Sequence, residues 1–132
     1  MEYRDTPITV VLAKGLTYQG PPPEEVPRLM KQFFQDINEL LKNKSYDAIY
    51  KSGVAQVHFF HIHPFKDHNG HIGRFLSNVI LLHYKEPLLQ IDSKIDVLYS
   101  SAIHGYDLSK DPTVFLGYLR KKAELQKGEW HE

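Results

Sequence analysis

His61-Ile62-His63-Pro64-Phe65-Lys66-Asp67-His68-Asn69-Gly70-His71-Ile72-Gly73-Arg74 is the stretch whose reading decides the fold. A helix arriving from the amino side must end before Pro64, because proline removes a backbone donor and restricts the residue ahead of it. A tight polar loop follows, and a new helix begins near Asn69. The free N–H groups at that start, with the positive end of the helix dipole, make a natural anion site. Gly70 lets the backbone come close to a bound group. Arg74 lies one turn on and can reach the same anion with a two-pronged guanidinium. Asp67, at the loop edge, is a hard oxygen ligand of the kind that suits Mg²⁺. His63 can accept a proton near neutral pH. Base, metal ligand, anion nest and arginine in so short a span point to phosphoryl or nucleotidyl transfer.

The flanking sequence is helical on both sides. Val26, Leu29, Met30, Phe33, Phe34, Ile37, Leu40 and Leu41 recur at three- and four-residue steps, which predicts one helix ending at Asn43-Lys44-Ser45. A second is expected from Ser45 to about His61. A third should run from Asn69 to Tyr84, with Ile72, Leu76, Val79, Ile80 and His83 along one stripe, and Phe65, Phe75 and Leu76 in the core. Glu86-Pro87 stops it. A fourth is expected over Ser93 to Ile103, with Ile95, Leu98, Tyr99 and Ala102 inward. A fifth starts at Asp111-Pro112 and buries Val114, Phe115, Tyr118, Leu119 and Leu125. Ahead of Gly20-Pro21-Pro22-Pro23, Thr6 to Leu12 and Leu16 to Tyr18 read as two extended runs around a Lys-Gly turn, a β-hairpin flap. Two strands alone are marginal, so the flap must lean on the helices. The expected architecture is all-α with a short β-flap. It forms one domain over 1–132, the flap in 1–20 and the helical core in 24–128.

Composition narrows the function. The 132 residues carry 16 basic and 16 acidic side chains, a formal net charge of zero. Phosphate-backbone binding takes a surplus of Lys and Arg, so no nucleic-acid partner is expected. With no cysteine, thiolate metal sites and cysteine nucleophiles are excluded. No apolar run approaches a membrane span and no signal peptide opens the chain, so no membrane partner and a cytoplasmic location are expected.

The quoted stretch resembles the signature of the Fic domain family, H-P-F-x-[D/E]-G-N-G-R-x-x-R. His63, Pro64, Phe65, Asp67, Asn69, Gly70 and Arg74 match it, while His68 stands where the family has glycine and His71 where it has the first arginine. The likeness reaches from about Tyr3 to Leu125. It implies a protein adenylyltransferase that moves AMP from ATP, with Mg²⁺, onto a Ser, Thr or Tyr hydroxyl of a target protein. His63 would be the base and Asp67 would hold the metal. The nucleotide would be bound by His68, Asn69, Gly70, His71 and Arg74, with Asn69, Gly70 and the loop amides forming the anion hole and Arg74 taking the γ-phosphate. Phe65 would anchor the loop, and the flap would receive the target by strand addition. The two departures remove a tight-turn glycine and a permanent charge, so impaired or pH-dependent nucleotide handling is expected. The family's inhibitory pattern, [S/T]-x-x-x-E-[G/N], does not occur, which points to a separate inhibitory protein or an upstream inhibitory segment.

Alternatives belong beside this reading. They are a phosphotransferase on the same fold, a catalytically impaired binding module, and a transition-metal site built from His61, His63, Asp67, His68 and His71. His58, His61 and His83 lie beside aromatics and read as structural.

Overall fold

A helix with no polar face must be surrounded, and α2 (Ala48–Ile62) is one: none of its residues is exposed in the computed structural model, which describes residues 2–92 and 96–130. It begins at Ala48 rather than Ser45, because the Asp47 carboxylate caps it by accepting from the Tyr50 amide at 2.9 Å. Four helices surround it: α1 (Val26–Lys42), α3 (Asn69–His83), α4 (Val97–Ser109) and α5 (Thr113–Trp130). Two apolar clusters lie against it. Phe59, Ala55 and Ile62 pack with Val26, Met30, Phe33 and Ile37 of α1 and Ile80 of α3. Val57 and Phe60 pack with Leu81, Tyr99, Ile103, Phe115 and Leu119. Gly53 admits α5 closely, since a Cβ there would stand 2.6 Å from Leu116 and 2.8 Å from Leu119.

One charge sits inside this packing. Lys51, buried on α2, donates to Leu41 O (3.2 Å) and to the Tyr84 hydroxyl (3.1 Å), with its ammonium 4.8 Å from the Tyr84 ring centre. It ties the carboxyl ends of α1 and α3 to the central helix.

The amino-terminal hairpin pairs β1 (Thr9–Val11) with β2 (Thr17–Gln19), antiparallel, with Val10 opposite Tyr18. Lys14 and Gly15 turn the chain with φ of 62° and 73°. Val10 and Tyr18 face the helices and are buried, while Thr9, Val11, Thr17 and Gln19 are exposed. The flap leans on the bundle through the Tyr18 hydroxyl, which donates to Phe60 O at 2.6 Å, and through the Ala13 amide, which donates to Ser100 Oγ at 3.2 Å.

Several expected core positions are corrected. Phe75 is 69% exposed, and Val79 and His83 also face outward on α3. Gly73 and Ser77 are the cause. These small residues are buried against α2, with Gly73 over Gln56 and Phe59, so the inward face turns toward Gly73, Ser77, Ile80 and Leu81. Leu98, Val114 and Leu125 are exposed as well. The fourth helix runs past Ile103 to Ser109, where Lys110 takes a left-handed cap conformation. Ile95 and the expected start at Ser93 lie outside the described residues. At α5 the Asp111 carboxylate accepts from the Thr113 amide and hydroxyl at 2.9 and 2.6 Å.

Candidate active site

The end of α2 and the start of α3 face each other across the expected loop. His63 caps α2 in the left-handed region (φ 51°, ψ 60°), its amide donating to Phe59 O at 3.0 Å. Its Nδ1 lies 3.0 Å from Phe60 O. A carbonyl only accepts, so Nδ1 carries the proton and Nε2 keeps its lone pair. Burial pushes the His63 pKa below the ordinary imidazole value; the Phe60 carbonyl opposes this, and the positive charge of Arg4 adds to it. The ring is therefore neutral at pH 7, as a proton acceptor must be.

Phe65 anchors the loop between Tyr3 and Phe59, at ring-centre distances of 5.7 and 6.3 Å. The buried Asn69 braces it: Oδ1 accepts from the Phe65 amide and Nδ2 donates to the Phe65 carbonyl, both at 2.9 Å. The Asn69 side chain thus holds the loop, leaving its backbone for an anion. His68 precedes α3 in the left-handed region (φ 64°, ψ 12°), with its ring exposed. The first helical bond runs from Ile72 N to His68 O at 2.9 Å, so the amides of Asn69, Gly70 and His71 come before the helical ladder starts. A Cβ on Gly70 would stand 3.0 Å from Arg74 Nη1, so glycine lets the guanidinium fold back over the nest. Arg74 Nη1 also lies 3.5 Å from the Tyr99 hydroxyl, which donates to Gln56 at 2.7 Å.

These parts enclose a cavity of about 340 Å³. The loop and α3 contribute His63, His68, Asn69, Gly70, His71 and Arg74. Val11, Leu12 and Ala13 of the flap and Tyr99 and Ser100 of α4 close it. Asp67 is not among the lining residues. Its exposed carboxylate lies at the rim, 3.7 Å from His68 Nε2. One rim carboxylate fits Mg²⁺, which takes most of its ligands from phosphate and water. The transition-metal alternative is corrected. His61 Nδ1 stands 2.9 Å from Asp107 Oδ1, His63 turns to Phe60, and the His68 and His71 ring centres are 5.9 Å apart. Among the described residues no three such side chains converge on a metal position.

Two parts of the site escaped the sequence reading. Arg4 is buried and hydrogen-bonded to the carbonyls of Ile62 and His63. Gln56 and Tyr99 support Arg74. A lone arginine near a terminus and a glutamine in a helix carry no local pattern, and their roles appear only once distant elements meet.

Comparison with known proteins identifies the family. The Fic/DOC family model matches residues 1–81, which include the whole loop from His63 to Arg74. The chain belongs to the Fic/DOC family. Among Fic proteins of known structure, it superposes on a Fic-domain signalling protein of Bacteroides thetaiotaomicron with a TM-score of 0.82 at 26% identity, covering 92% of this chain and 50% of that one. Fic-1 of Caenorhabditis elegans gives 0.75 at 25% identity, covering 98% and 36%. An Aquifex aeolicus protein named "probable protein adenylyltransferase" is 36% identical over 89 residues, 67% of this chain and 26% of the relative. The chain therefore spans about a quarter of that relative and at most half of these structures. Among the described residues no helix is long and apolar enough to cross a membrane.

Proposed function

We propose that this Fic domain is a protein adenylyltransferase, transferring AMP from ATP to a Ser, Thr or Tyr hydroxyl of a target protein. The observation that carries this is a neutral, oriented imidazole sharing one 340 Å³ cavity with three helix-start amides and an arginine. The name of the Aquifex relative supports it. His63 Nε2 takes the proton of the target hydroxyl as its oxygen attacks the α-phosphorus. The bond to the α–β bridging oxygen breaks, and pyrophosphate leaves. Fixed amides at 69–71 and the Arg74 guanidinium stabilise the added negative charge with little reorganisation. Asp67 would hold Mg²⁺ at the rim, and the ion when bound neutralises phosphate charge. The target lies along the flap, whose hairpin supplies an edge for strand addition. Control by a separate inhibitory protein or upstream segment belongs to the same reading. His68, in place of a tight-turn glycine, and His71, in place of a permanently charged arginine, weaken the grip on phosphate and slow the reaction.

Incubation of the protein with α- or γ-labelled ATP, Mg²⁺ and a cell lysate tests this. The α-label should reach a protein band, faster with His68→Gly/His71→Arg and not at all with His63→Ala. Transfer of γ-label alone would mean phosphotransfer. No transfer by the wild type or the double variant would leave a binding module.

A further inference from the structure

Arg4 is 3% exposed, and its hydrogen bonds converge on the backbone around the base. Its backbone amide donates to Pro64 O at 2.8 Å, its Nε to His63 O at 2.6 Å, and its Nη2 to Ile62 O at 3.2 Å. Three successive carbonyls, 62 to 64, thus end on one residue sixty positions away. Nη1 donates to Thr6 O at 3.0 Å and Nη2 to Pro21 O at 2.7 Å, which secures the chain on both sides of the hairpin. The middle carbonyl belongs to a histidine in the left-handed region, which is sparsely populated and persists only where its surroundings over-determine it. A guanidinium with five donors in a rigid fork can make these bonds together, whereas an ammonium on a flexible stem cannot hold the same planes.

We infer that Arg4 is a positioning residue for the reaction. It holds the His63 peptide so that the imidazole stays on Phe60 O, and fixes the flap that presents the target relative to the base. The inference rests on His63 acting as the proton acceptor. The charged and titratable groups around His63 agree with this assignment. Arg4 and Tyr18 approach it from the amino-terminal segment, while His68, His71 and Arg74 of α3 and Tyr99 of α4 share its cavity. Among them Arg4 is the charge that lowers its pKa, after burial itself.

The test compares the wild type with Arg4→Gln and Arg4→Lys, at a temperature where circular dichroism shows the variants folded. NMR titration of the His63 imidazole should move to higher pH in Arg4→Gln and return toward the wild type in Arg4→Lys, which restores the charge. Turnover in the α-label assay should fall about a hundredfold in both, the scale of a small misplacement of reacting groups. KM for Mg-ATP should stay within about twofold, because Arg4 does not line the cavity. An unmoved His63 titration in Arg4→Gln, or a folded Arg4→Lys with wild-type turnover, would overturn the inference. A purely structural arginine would lower the melting temperature and leave both readings unchanged. If Arg4→Gln does not fold, turnover of Arg4→Lys decides. If the wild type labels nothing, the adenylyltransferase reading fails, and the titration still judges the role of Arg4.

Discussion

Asn69 shows how much one side chain can settle. Its amide group presents one acceptor and two donors, and the Phe65 peptide uses one of each, so the loop is closed by a reciprocal pair of bonds. A side-chain amide is needed for this, since aspartate lacks the donor and alanine lacks both. Asn69→Ala leaves a part-buried N–H and C=O without partners and should cost about 2 kcal/mol. Thermal denaturation should show that loss, and a melting temperature unchanged from the wild type would contradict the brace. The sequence marked Asn69 as a candidate through its place in the motif. It could not distinguish a side chain that holds the loop from one that touches phosphate, because that depends on where the Phe65 peptide lies. Arg4 was illegible for a related reason: nothing adjacent to it in the chain hints that its partners are the carbonyls of residues 62 to 64.

Among the elements, α3 carries the clearest lesson. Its existence, start and stop follow from Asn69, its apolar periodicity and Glu86-Pro87. Its rotation does not. A count of large apolar residues favours a stripe through Leu76 and Val79, but close packing on α2 is set by the small residues Gly73 and Ser77, and that turns Phe75 and Leu82 to solvent. The exposed ring at 75 therefore contributes little. Phe75→Ala should change stability by less than about 0.5 kcal/mol. Phe33→Ala on α1, which empties a fully buried position, should cost about 4 kcal/mol. Chemical denaturation of the two variants checks the pair, and equal losses would mean the face of α3 is wrongly assigned. The flap behaves differently. Its two strands were legible from β-branched residues around Lys14-Gly15, whereas its anchors, the Tyr18 hydroxyl and Ser100, lie on elements far apart in the chain.

For the whole molecule, three histidines of α2 and its cap tie stability to pH. Burial lowers the pKa of His58, His61 and His63. The unfolded chain takes up protons on these groups near pH ~6.5, while the folded chain resists until lower pH. Over that window the unfolded state binds more protons, so stability rises with pH and falls as the solution is acidified. Asp47 and Asp96 act further down. The Arg120 guanidinium holds Asp47 below the usual carboxylate range. Asp96 is held there, against its own burial, by the Tyr118 hydroxyl, the Tyr99 amide and Lys122. Their contribution persists until about pH 4, near the carboxylate pKa of an unfolded chain. The melting temperature should therefore be level between about pH 7 and pH 9 and decline between about pH 6.5 and pH 4.5. A curve flat across that interval would mean that these imidazoles are not held neutral by the fold.

The central claim is that the turn before α3 grips a nucleotide's phosphates beside His63, and backbone amide NMR during titration with Mg-ATP tests it most directly. Shifts should centre on residues 68–71, His63 and Arg74, with smaller ones at Leu12, Ala13 and Tyr99. Shifts confined to the separate cavity beside Ile49, Pro87 and Leu89, or none at 68–71 at saturating nucleotide, would contradict it.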